Sequence, residues 1–258
     1  MRIVCILLFA SLVSLGVVRA QEPAGPGDAG SPESFDSPES YQEWMNSYHI
    51  TPQPDRILEG ITYYTTTDLY SAPTSRVPSS HFYAALLRQQ PKLVPGVYTL
   101  GATHESSDLK QFLLNTLWLV NSNESKELLI RAKKEWNLSP QQQQVIDKML
   151  KTKPTWALDA PVRSPLSLDI LWAIYAATGE PKAVEKVVSV VHLSEDGSGE
   201  QILTGGAAKW SLTCQALGDE KVLSIVKQKA QSSEGATKNV LEEILAEVKE
   251  SKEKEDDQ

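Results

Sequence analysis

Apolar residues in this chain recur with a period of three to four. Leu168, Leu171, Trp172 and Tyr175 fall at i, i+3, i+4 and i+7, as do Val184, Val187, Val188 and Val191. Leu241, Ile244, Leu245 and Val248 repeat the spacing near the C-terminus. Phe82, Ala85 and Leu86 begin it upstream, followed by Leu109, Phe112 and Leu113. That spacing lines one side of an α-helix, whereas a half-buried strand needs alternation, which is nearly absent here. The expected class is all-α.

Boundary signals agree. Ser139, Pro140 and Gln142 supply a cap, a first-turn proline and a capping-box partner in order. Gly179 stops one helix and Pro181 starts the next. A helix with a bulky aromatic, a turn, then Lys and a second apolar helix recurs along the chain. Its copies run from Phe82 to Lys92, Trp118 to Lys126, Trp172 to Lys182 and Trp210 to Lys221, at spacings of 10, 8, 10 and 11 residues. A looser copy joins Trp44 to Pro54-Asp55-Arg56. This pattern predicts a short right-handed α-solenoid of four to five stacked helical hairpins over 39–250. A final helix is expected near 236–250, and 251–258 is a charged tail.

Residues 1–20, with Arg2, an apolar run and small residues before position 21, read as a secretory signal peptide. Residues 21–38, rich in Pro, Gly, Ser and acid, read as a disordered spacer. Loss of Arg2 and Arg19 takes the net charge from −8 to −10, which disfavours nucleic acid and anionic membranes as partners. Only Cys214 then remains, so no intramolecular disulfide forms and the apolar core must hold the fold. No later stretch is apolar enough to span a membrane. The expected location is periplasmic or secreted, and Asn123-Glu124-Ser125 and Asn137-Leu138-Ser139 would be glycosylation sequons only in a eukaryotic secretory route.

Three segments, YQEWMNSYHITPQPDRILEGI (41–61), LDILWAIYAATGEPKAVEKVV (168–188) and GGAAKWSLTCQALGDEKVL (205–223), resemble a family of uncharacterised exported bacterial proteins. The resemblance covers about positions 40–230 and implies a helical-repeat chain similar to tetratricopeptide solenoids, with no activity to carry over. The chain departs from the tetratricopeptide period of about 34 residues. Trp118 to Trp172 is 54 residues, and Trp172 to Trp210 is 38.

The residues carry no catalytic signature. There is no GxxxxGK[ST] and no GxGxxG after a strand, and Gly197-Ser198-Gly199 is too short for a nucleophile elbow. His104-Glu105 lacks a second histidine one turn later, and His49, His81 and His192 lie far apart. No metal, cofactor or catalytic residue is assigned.

The most unusual segment is 192–206. Asp196, Ser198 and Gly199 fit a calcium loop in part, but Ser194 and Gly205 occupy its first and twelfth positions, where acidic ligands are needed. It reads as a polar connection with a turn at Asp196-Gly197, or as a partner-binding loop. Gly205-Gly206 before a helix reads as a place where the chain approaches its neighbour closely, or else as bare amides for an anion with Lys209 nearby.

Trp44, Trp118, Trp172 and Trp210 are expected in the core, and Trp136 and Trp156 near helix ends, more exposed. Asp169 and Glu180 read as first-turn and turn acids, and Cys214 as a buried inert thiol. The expected function is an exported, non-enzymatic interaction module with a protein or peptide partner. The alternative is an enzyme or small-ligand-binding protein with its site near 192–206.

Overall fold

A computed structural model describes residues 35–256; the signal peptide expected over 1–20 and most of the 21–38 spacer lie outside them. The described chain is all-α, with no strand among the described residues. In order the helices are α1 (Pro38–Ser47), α2 (Ile57–Tyr64), α3 (Asp68–Ser71), α4 (Pro73–Gln89), α5 (Val94–Thr103), α6 (Ser107–Val120) and α7 (Asn123–Glu135). Then come α8 (Pro140–Lys151), α9 (Pro165–Thr178), α10 (Pro181–Val188), α11 (Leu193–Asp196), α12 (Glu200–Gly218), α13 (Glu220–Ser232) and α14 (Gly235–Asp256).

Local chemistry sets the boundaries. Ser122 and Ser139 cap α7 and α8 with reciprocal capping boxes, through Ser125 and Gln142. Asn121 and Gly179 end α6 and α9 in the left-handed region, at φ +55° and +63°, so the chain reverses within two residues. The pairs α6/α7, α9/α10 and α12/α13 each fold back and pack on one another.

Between pairs, packing departs from chain order. α5 lies on α6 and α7, α4 lies on α6, and the broadest contact in the molecule joins α4 to α9. α9 is buried nearly all round, because it serves two cores. Its Ala173, Ala176 and Ala177 belong to the core built from α1 to α8. Its Leu168, Leu171, Trp172 and Tyr175 belong to the core built from α10 to α14. Alanines at i, i+3 and i+4 let a neighbouring backbone approach closely, so α9 acts as a party wall.

The first core reaches back to Phe35, placed by composition in the spacer. Phe35 is 4% exposed, lies edge-on to Tyr41 and Trp44, and carries the Arg56 guanidinium 3.7 Å above its ring. Its amide donates to Glu59 Oε1.

Trp136 is the clearest reversal of a side chain's expected exposure. It is 4% exposed, because Gly101 of α5 leaves room for its ring. A Cβ at Gly101 would fall 2.1 Å from the Trp136 ring, and Tyr98 packs 5.6 Å away. Lys110, 4% exposed, offsets its burial by donating from Nζ to the carbonyl of Asn137.

Candidate functional site

Residues 192–206, expected as a long connection, are mostly helical. α11 takes 193–196 and α12 begins at Glu200, leaving only Gly197–Gly199 between them. The reason is Gly205: a Cβ there would meet the Ser194 amide nitrogen at 2.1 Å, so a bare backbone is what lets α11 lie on α12. Gly205-Gly206 therefore sits inside a helix and offers no open amides to an anion. Among the described residues no three His, Cys, Asp or Glu side chains are placed to hold a metal. His104 caps the end of α5 in an exposed position.

The side of α12 turned inward is made of Leu212 and four small residues, Thr204, Gly205, Ala208 and Ala216. That geometry leaves Leu203, Gly206 and Trp210, at i, i+3 and i+7, on the outward side. Leu203 is 66% exposed, Trp210 52% and the adjoining Ile202 46%. Nothing lies within 4 Å of a Cβ built on Gly206, so the strip has a shallow dip between two large apolar side chains. Trp210, expected in the core, is thus a surface residue, and Cys214 one turn on is half-buried rather than enclosed. Of the remaining tryptophans, Trp44 and Trp172 are buried, and Trp118 and Trp156 are partly buried against the first core.

One flank of the strip is acidic. Lys209 Nζ is held by Glu243 at 2.6 Å and Glu247 at 3.6 Å, and Thr213 also reaches Glu247. Both carboxylates stand on α14, which packs beside α12. Two negative charges around one positive leave that flank net negative.

A second polar cluster closes the seam between the two cores. Asp219 Oδ2 accepts from the Tyr175 hydroxyl at 2.7 Å and lies 3.3 Å from His49 Nε2. Its Oδ1 accepts from the amides of Lys221 and Val222 at the start of α13. Burial alone would raise this carboxyl, but the bonds from His49, Tyr175 and the two amides outweigh it and bring it down to about 2. Lys221 Nζ donates to the Gly179 carbonyl, and the His49 amide to the Ala176 carbonyl. Each Asp219 oxygen is engaged within the protein, so the cluster fixes α1, α9 and α13 together. Sequence reading assigned Asp219 no role, because His49 is 170 residues away.

Asp169 differs. It stands near the start of α9, half-buried, and burial pushes its carboxyl up to about 6. A carboxyl that binds its proton more tightly when folded favours the fold below its unfolded value near 4 and loses that advantage as pH rises through 6. Asp169→Asn is therefore expected to stabilise the protein at pH 7 by about 1–3 kcal/mol and to leave it unchanged at pH 4. Urea midpoints at the two pH values check this; an equal gain at both would show that the cost is not ionic.

No protein-family model, no curated protein and no solved structure matches this chain.

Proposed function

We propose that this chain is an exported, non-enzymatic interaction module, periplasmic or secreted, in which stacked helical hairpins form a short α-solenoid-like scaffold. It would then be similar in organisation to the exported bacterial helical-repeat proteins that its sequence resembles. The hairpin pairs α6/α7, α9/α10 and α12/α13 support the stacked arrangement. The exposed Leu203–Gly206–Trp210 strip carries the functional reading. A half-exposed tryptophan beside a dip and an exposed leucine has the make-up of a binding hot spot, where a few large side chains supply most of the energy. The acidic flank from Glu243 and Glu247 favours a protein or peptide with an apolar anchor and a basic neighbour. It disfavours anionic lipid and nucleic acid.

The test is capture from the exported fraction of the native host, with wild-type protein and Gly206→Arg as paired baits. The substitution fills open space and leaves the core untouched. A protein retained by wild type and lost by Gly206→Arg is the expected result. Identical sets of retained proteins on both baits would overturn the reading.

A further inference from the structure

Between α8 and α9 the chain runs without regular structure as a strap, with Trp156 packed on the first core and Leu158 and Val162 on the second. Lys182 Nζ ties it down through Asp159 at 2.9 Å, and Lys186 Nζ donates to the Ala160 carbonyl. Trp156, on the strap, has the Arg88 guanidinium 3.9 Å over its ring and the His81 ring 6.0 Å away. Beneath the strap lies a cleft of about 160 Å³, walled by Pro161, Val162, Ile170 and Leu171, with His81, Thr155 and Ser167 supplying its polar edge.

His81 is oriented by its own helix. Nδ1 is 2.9 Å from the Val77 carbonyl, and a carbonyl can only accept, so Nδ1 carries the hydrogen. Burial holds the His81 ring below its ordinary value; the bond to Val77 opposes this and the Arg88 charge adds to it. At neutral pH the ring is uncharged, and Nε2, on the opposite edge, is a lone-pair acceptor with no hydrogen-bond partner among the described residues. An unpaired acceptor at the edge of an apolar cleft gains from a donor.

We propose that this cleft binds a small uncharged ring compound that donates one hydrogen bond to His81 Nε2, a phenol being the simplest example. The size fits, since an engineered apolar cavity of about 150 Å³ in another protein takes up benzene. The walls suit a hydrocarbon ring. No acidic side chain lines the cleft to receive a cation, and Arg88 opposes one. A carboxylate would set its lone pairs against that of Nε2.

The experiment titrates protein labelled with ¹⁵N at tryptophan with phenol and, separately, with anisole, the same ring without a donor. The Trp156 indole signal is assigned by its loss in Trp156→Phe. Phenol should shift that signal saturably and bind about tenfold more tightly than anisole, the ratio expected of one hydrogen bond. In His81→Phe the preference should vanish. Should that variant not fold, wild-type protein in acid serves, since protonation makes Nε2 a donor and should remove the preference for phenol. Absence of saturation, equal binding of the two rings, or a preference that survives His81→Phe or acid would each overturn the assignment.

Discussion

Trp172→Ala is expected to lower stability by about 3–5 kcal/mol, the range for deleting a buried indole, and to lower it for the whole chain. Trp172 is 3% exposed and lies edge-on to Tyr175 in the second core. Its helix α9 also carries Ala173, Ala176 and Ala177 into the first core. A cavity on one side of a shared wall is felt on the other, because packed helices move as units. Domains of this kind are stable by about 5–15 kcal/mol, so the loss is a large fraction of the total. Urea unfolding followed by far-ultraviolet circular dichroism and by tryptophan fluorescence should give coincident curves, both moved to lower urea. Early melting of the α10–α14 half alone would show two independent bodies. Trp172→Phe should cost much less. The Trp172 Nε1–H is buried with no acceptor among the described residues, and phenylalanine removes that orphan donor while keeping a ring.

Trp210→Ala should behave in the opposite way. Its side chain is half exposed on α12 and is not part of the second core, so stability should change by no more than about 0.5 kcal/mol. Affinity for the captured partner should fall by about 30-fold or more, corresponding to the roughly 2 kcal/mol that defines a hot-spot residue. Leu203→Ala should lower it less. Equilibrium binding and thermal melting of the same samples separate the two effects. Loss of melting temperature together with affinity would make Trp210 a structural residue.

The contrast between these tryptophans shows what periodicity conveys. It identified α9, α10 and α14 and the all-α class, because large apolar side chains mark their buried faces. On α12 the buried stripe is Thr204, Gly205, Ala208, Leu212 and Ala216, four of them small, so hydropathy points to Leu203 and Trp210 on the wrong side. Gly205 and Gly101 permit close approach, to Ser194 of α11 and to Trp136, and these partners lie 11 and 35 residues away, beyond the reach of local spacing. Helix boundaries at Ser139 and Gly179 were legible because capping is settled within a few residues. The α4–α9 contact and the His49–Asp219–Tyr175 cluster were not, since each joins segments scores of residues apart. The orientation of His81 depends on Val77, one turn earlier, yet the cleft it edges exists only once the strap is folded across it.

The central claim, that the outward side of α12 meets a partner, is tested most directly by site-specific photocrosslinking in cells of the native host. A photoreactive phenylalanine derivative at Gly206, where space is open, is compared with one at Ile130, an exposed position on α7. A discrete adduct of one mass from position 206, and none from 130, is the predicted result. No adduct at 206, or the same adducts from both positions, would contradict it.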